Sequence, residues 1–423
     1  MCYLITLGIG RMEIDWGKKN FVRDHYVLFK PTDYKEELTN YKNDDRCDDL
    51  TLIEENQYGY SRKLSTIKKR LDLLGYDINS IERIFNEEIH FFIDHGHELP
   101  LSFTDFYNVL LELDISEVDT VSIENEYGDF DPGEFASRCV MEESHIKSAF
   151  IKYLFNGKSE CYHAFKWEIS DFIENIDPYL VLRILAEKSD NEDLDVNWFC
   201  TDFLDNELQE NPANNREITS FLPPEKQILI VTEGSSDTDI LRKTIGDLYP
   251  EISDFFNFID MSSNYPFTGV GELKKFCQGL CKINIQNNVI VIFDNDTAGK
   301  EKFNIIHAVH KPASLVIIKL PDYSEFSHIL TSGPQGDTFE DINGRAVAIE
   351  CFLDFTSVNH ESYIRWTAYN RNVNQYQGEL WNKDDYIKEF HKRCLTDGSY
   401  NTTKLRFLID YIVESWIKRN ISS

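Results

Sequence analysis

The chain has 423 residues, 42% of them hydrophobic and 13% aromatic. That is too apolar for a mostly disordered chain, and at about 150 residues per domain it suggests about three domains. Its 43 Lys+Arg stand against 73 Asp+Glu, a net charge of -30. Such a surface repels nucleic acid at long range, so any phosphate partner must be held by local basic residues or by bound cations. No stretch reaches the roughly 18 consecutive apolar residues of a membrane-spanning helix, and no membrane partner is expected. The opening MCYLITLGIGRMEIDW has no basic segment before its apolar run and no small-residue cleavage site, so no signal peptide is expected. Nine cysteines without a CxxC pair argue against a disulfide framework or a zinc ribbon. They favour reduced thiols and a cytoplasmic location.

The first part of the chain holds short β-like runs, Tyr3–Ile9 and Tyr26–Phe29, and then a loop rich in Asp and Asn, Asn40–Asp49. RKLSTIKKRLDLLGYD follows with helical spacing. Leu64, Ile67, Leu71 and Leu74 share one face, and Gly75 is placed as a C-cap. Arg62, Lys63, Lys68, Lys69 and Arg70 form the densest basic cluster. It reads as a solvated helix face, or as a contact to phosphate or to a partner protein. Residues 86–210 read as mostly helical and acidic, with helical spacing over Phe103–Leu113, His145–Phe155 and Phe172–Leu185. Residues 209–226, ending in Pro223-Pro224, read as a linker.

Beyond the linker come four continuous apolar runs, ILIV (228–231), FFNFI (255–259), VIVIF (289–293) and LVII (315–318). Helical patterns separate them, Asp237–Leu248, Glu272–Ile283 and Ala298–His310. Continuous runs imply strands buried on both faces, and the alternation implies βαβ units with a parallel sheet. The final segment is aromatic and mixed, and ends in a helical pattern over Lys404–Lys418.

Two of these strands end in carboxylates. ILIVTEGSSD places Glu233 just past its strand and Asp237 at the mouth of the next helix. VIVIFDND ends with Asp294 and Asp296. Ligands of an open parallel sheet bind outside the carboxyl ends of its strands, so these acids can converge there. Crowded carboxylates repel unless a cation neutralises them, and hard oxygen donors select Mg²⁺ or Mn²⁺. Strand-end turns and helix caps use the same residues, so neither motif alone decides the matter.

The pair of motifs in this order resembles the Toprim domain of topoisomerases, DnaG-type primases, OLD-family nucleases and ribonuclease M5-like enzymes. The signature of that domain is a Glu after the first strand and a DxD after the third. The N-terminal segments FVRDHYVLFKPTD and SRKLSTIKKRLDLLGYD resemble the HEPN/Toprim N-terminal domain of bacterial conflict and anti-phage systems. The resemblance implies an α/β protein. A Toprim domain at 223–350, with a central parallel sheet flanked by helices, follows a small α+β N-terminal domain (1–90) and a mainly helical middle region (91–215). A helical, aromatic extension covers 351–423. It also implies that Glu233 is general base/acid or metal ligand, that Asp294 and Asp296 hold Mg²⁺ or Mn²⁺, and that Asp237 and Glu301 complete a second site. Asp237 stands where OLD-type nucleases carry Glu.

Lys300, Lys319 and Lys302 are candidates to stabilise the transition state. Glu350 in GRAVAIE is a further ligand candidate, or a helix-surface acid paired with Arg345. Two Arg-x-His spacings of HEPN ribonucleases occur, Arg83 to His90 and Arg138 to His145, at about the frequency chance allows. His95 and His97 fit a loop or a metal pair. No P-loop, zinc-binding module or DNA-cleaving tyrosine module is recognisable. The expected function is a metal-dependent nuclease acting on DNA or RNA in anti-phage defence. The alternative is a non-catalytic Toprim subunit that controls a partner effector. The expected partners are a nucleic-acid substrate and either a protein from the same operon or a second copy.

Overall fold

The computed structural model describes residues 4–10, 12–18, 23–43, 52–94, 102–112, 115, 176–199, 220–259, 269–371 and 373–421. The chain divides into two compact units, 1–222 and 223–423. Both are mixed α/β. Among the described residues no helix is long and apolar enough to cross a membrane.

In the first unit, β1 (Leu4–Ile9), β2 (Met12–Lys18), β3 (Tyr34–Asn43), β4 (Leu52–Lys63) and β5 (Asp195–Phe199) form one antiparallel sheet in the order β2-β1-β5-β4-β3. Helices α1 (Leu64–Leu74), α2 (Ile81–Asp94), α3 (Phe103–Glu112) and α4 (Pro178–Leu185) accompany it. α1 ends as its sequence requires, on Gly75 in the left-handed region at φ 102. Its apolar stripe joins a core containing Tyr60, Phe85, Leu180 and Trp198.

Several expectations are corrected here. Tyr26–Leu28 is a 3-10 turn, because the Tyr26 ring is drawn into the Tyr60 and Trp198 cluster rather than into a ladder. The Asn-rich stretch through Asn43 continues β3 instead of looping. The region read as helical supplies a strand, β5, at the centre of the sheet. The basic cluster is neither a free helix face nor wholly on a helix. Arg62 and Lys63 close β4 and pair with Asp33 at 2.7 Å and Asp195 at 2.9 Å. Lys68 pairs with Glu187 at 2.9 Å, and fully buried Arg70 donates to the carbonyls of Val27 and Phe29. The helical pattern at His145–Phe155, Arg138, His145, His95 and His97 lie outside the described residues.

In the second unit, β6 (Ile228–Val231), β7 (Phe256–Phe258), β8 (Asn288–Phe293) and β10 (Leu315–Lys319) form an all-parallel sheet in the order β10-β8-β6-β7. Helices α5 (Ser235–Leu248), α6 (Val270–Lys282) and α7 (Thr297–His307) alternate with them. The runs of the inner strands β6 and β8 are buried on both faces, as continuous runs should be, whereas the edge strand β7 exposes Asn257. Between β8 and α7 lies the short strand β9 (Asn295–Asp296), paired with β13 (Ala346–Val347). The end of the chain adds a second sheet, β12-β11-β14-β15, from β11 (Ile329–Gly333), β12 (Gly336–Glu340), β14 (Ile364–Asn370) and β15 (Gln375–Leu380). Helices α8 (Lys383–Lys392) and α9 (Thr403–Ile417) complete it, and α9 packs on α5 and on the 3-10 turn Ile349–Phe352.

Candidate active site

The parallel sheet changes direction at β6. The chain goes from β6 to β7 on one side, then crosses to β8 on the other. Such a switch point opens a crevice at the carboxyl ends of the two inner strands. Glu233 leaves β6 there, and Asp294 and Asp296 leave β8 there.

The turn after β6 is tied by Thr232, whose hydroxyl donates to the Gly234 carbonyl at 2.9 Å. Glu233 Oε1 accepts the Asp294 amide at 3.1 Å, so one hydrogen bond links the two motifs across the crevice. Asp237, at the third position of α5, accepts the amide of the N-cap residue Gly234 at 3.0 Å. Asp296 is the N-cap of α7. Its Oδ1 accepts the Gly299 amide at 2.6 Å and its Oδ2 accepts from Gln377 Nε2 at 2.8 Å. Gly299 is demanded by close approach, since a Cβ there would stand 2.2 Å from the Asp294 carbonyl oxygen. Asn295 is buried, donates to Asp322 at 2.6 Å and accepts from Lys319 at 3.0 Å, which pins the turn.

Burial pushes the Glu233 carboxyl up to about 7; the Asp294 amide opposes the shift and the Asp296 charge adds to it. Burial and then Glu350 push Asp237, which is 7% exposed, up to about 7. Asp294 is raised well above the ordinary aspartate range by burial and by Asp237, Glu233, Asp296 and Glu350. Asp296 is raised by burial, against its backbone hydrogen bonds. Charges of five carboxylates thus reach one another at the switch point.

Glu350 is not a surface acid paired with Arg345. It is 2% exposed and pairs with Lys383 Nζ at 3.1 Å, while Arg345 pairs with Glu340 at 2.9 Å. Lys383 opens α8 and acts on Glu350, Asp237 and Asp294; burial lowers its ammonium, and the carboxylates raise it by more. Neither Lys383 nor Gln377 was legible as a site residue, since both reach the acids from far along the chain. Among the expected lysines, Lys319 lies at the DND turn. Lys319 is held by Asn295 and Asp322, Lys302 pairs with its neighbour Glu301 at 3.1 Å, and Lys300 is exposed with its ammonium beside Gly344. Glu301 also accepts from Asn370 at 3.4 Å.

The donor set fits a hard divalent cation. All its donors are carboxylate oxygens, and the positive charge of Lys383 acts chiefly on Glu350, Asp237 and Asp294. As the side chains stand, no three His, Cys, Asp or Glu among the described residues are grouped to hold a metal ion.

The fold and this cluster define an α/β protein with acidic residues at the switch point of a parallel sheet. The chain matches HEPN/Toprim N-terminal domain 1 over residues 1–218, just over half its length, and it belongs to that family. The match covers the first unit and ends before the unit that carries the acids. No curated protein and no solved structure matches the chain.

Proposed function

We propose that residues 223–423 form a Toprim-type phosphodiesterase, a divalent-metal-dependent nuclease that cuts DNA or RNA in a bacterial anti-phage system. The observation that carries this reading is the hydrogen bond from the Asp294 amide to Glu233, which joins the E and DxD motifs at the switch point. Glu233, Asp237, Asp294 and Asp296 would hold Mg²⁺ or Mn²⁺. The ion would polarise the phosphoryl oxygens and lower the pKa of an attacking water. Glu233 keeps Oε1 fixed on the backbone and can hold a proton on Oε2, as general acid or base. Lys383 restrains Glu350 and offsets part of the cluster's charge.

The test is cleavage of labelled DNA and RNA by the full chain with Mg²⁺ or Mn²⁺. Glu233→Gln should abolish cleavage with the fold intact, and cleavage retained by that variant would remove the proposed role. One observation favours a second reading, a regulatory subunit of a defence complex: the acids do not surround a common point. Under it, calorimetry would find no Mg²⁺ or Mn²⁺ binding, and purified chain would cut only with its operon neighbours present.

A further inference from the structure

The second sheet carries a row of rings on one face. β14 and β15 are antiparallel, with Trp366 opposite Gly378 and Tyr369 opposite Tyr376. Trp366 and Tyr369 are three residues apart and would normally point to opposite faces. The bulge between Trp366 and Ala368 shifts the register and brings both to the same side. Trp366 lies flat over glycines. A Cβ at Gly378 would stand 2.9 Å from its ring, and one at Gly333 2.8 Å. The Arg345 guanidinium covers the ring at 4.2 Å from its centroid. The row continues from Trp366 to Tyr376 at 6.4 Å and to Tyr369 at 5.0 Å. The two tyrosines end it in the open, 46% and 39% exposed for Tyr369 and Tyr376.

The strand that carries this row borders the acid cluster. The Gly378 amide donates to the Arg345 carbonyl at 3.3 Å, and the next residues, β13, pair with β9, which contains Asp296. The Tyr376 carbonyl accepts from Thr297 at the start of α7, at 3.0 Å. Gln377, on the opposite face, holds Asp296 itself. Tyr376 thus lies on the strand that borders the DxD turn, with its ring on the face away from the Gln377–Asp296 contact. Two partly exposed tyrosines beside an arginine-capped tryptophan offer π-faces to planar rings, and they need little net charge to do so.

We propose that this row is a stacking platform for unpaired bases, so that the strand delivered to the acid cluster is single-stranded nucleic acid. The inference rests on the phosphodiesterase reading for its choice of occupant. A duplex hides the faces of its bases and cannot use the platform; an unpaired strand can lay a base against Tyr369 or Tyr376, which meet edge to face at 67°, and pass over the edge of β15 toward the DxD turn.

The test is fluorescence anisotropy on the full chain with Mg²⁺. The probes are labelled phosphorothioate single-stranded DNA and 2′-O-methyl phosphorothioate RNA, which resist hydrolysis, and the corresponding DNA duplex. Tyr369→Ala and Tyr376→Ala should each weaken single-strand binding about tenfold, the loss expected for one stacked base. Phe at either position should restore it, and duplex binding should be weaker and unmoved. The DNA and RNA arms tell which sugar the strand carries. The proposal is overturned if the Ala variants bind single strands like the parent, if single-strand and duplex binding fall together, or if Phe fails to restore. It is also overturned if the double Ala variant instead converts a dimer to a monomer in sedimentation, which would make the face a contact between copies. Absence of metal-dependent cleavage with the binding pattern intact would remove the phosphodiesterase reading and leave the platform standing. Cleavage intact with ring-independent binding would remove the platform alone.

Discussion

Asp237→Asn tests the electrostatics of the cluster without touching its hydrogen bonding. The carboxyl is buried at the third position of α5, and its amide replacement can still accept the Gly234 N–H. In the folded chain it titrates at about 7, against an ordinary 3.8. The sign follows from linkage. A carboxyl raised by folding costs nothing below its unfolded pKa, and its cost grows as pH rises from about 4 to about 7, where the folded carboxyl ionises. Three units at about 1.4 kcal/mol each set a ceiling of about 4 kcal/mol. The charges of Glu350 and Glu233 contribute to the shift beside burial, so roughly half that ceiling, about 2 kcal/mol, is expected to be recovered by the variant. For a unit of this size that is a rise of roughly 4–8 °C in Tm near pH 8. Near pH 4 the difference should vanish. Thermal unfolding of the full chain followed across this range gives the comparison. Millimolar Mg²⁺ should raise the parent toward the variant. A variant no more stable than the parent near pH 8, or an offset independent of pH, would refute the argument that uncompensated charge strains this site.

Two further outcomes follow from the same geometry. Lys383→Met leaves Glu350 buried without its ion pair, and should lower stability by about 1–3 kcal/mol near neutral pH; adding Glu350→Gln should restore most of it in the same melting assay. Gly299→Ala drives a Cβ against the Asp294 carbonyl, and should cost roughly 1–3 kcal/mol and shift the DND turn, read as a lowered Tm and weakened Mn²⁺ binding by calorimetry.

The parallel sheet was legible because its inner strands are buried on both faces, so each of those apolar runs reports its own environment. β6, β8 and β10 begin and end within a residue of the runs that announced them. β5 was not legible, because DVNWF is short, half polar and set in an acidic region; its place between β1 and β4 is fixed by partners more than a hundred residues away. Tyr26–Phe29 misled for the converse reason. An apolar run there is consumed by side-chain packing on Tyr60 and Trp198, and its backbone closes a turn. The acids at strand ends could be named from strand–turn–helix order alone. Lys383 and Gln377 could not, because tertiary contacts bring them to Glu350 and Asp296. Arg70 shows the limit of charge counting, since a residue read as surface charge is a buried donor to two carbonyls.

A net charge of -30 constrains how a polyanion could be held, and the second unit suggests an answer that salt can test. Two of the cations near the ring platform face carboxylates. Arg345 pairs with Glu340, and Arg365 lies opposite Glu379 in the ladder. In the first unit Arg62, Lys63 and Lys68 are likewise paired with carboxylates. Binding that relies on Tyr369 and Tyr376 should therefore release few counterions. With about two or three phosphate contacts, the plot of log affinity against log salt should have a slope of about -1.4 to -2.1 for a single strand. Titrations with the phosphorothioate strand at rising KCl, with Mg²⁺ fixed, measure it. The Tyr376→Ala line should be displaced toward weaker binding and run parallel, because a ring contributes affinity without displacing ions. A slope of about -4 or steeper would require about six or more phosphate contacts. It would move the binding surface away from the β14–β15 hairpin to a basic face that the ion pairs of α1 and β4 do not leave available.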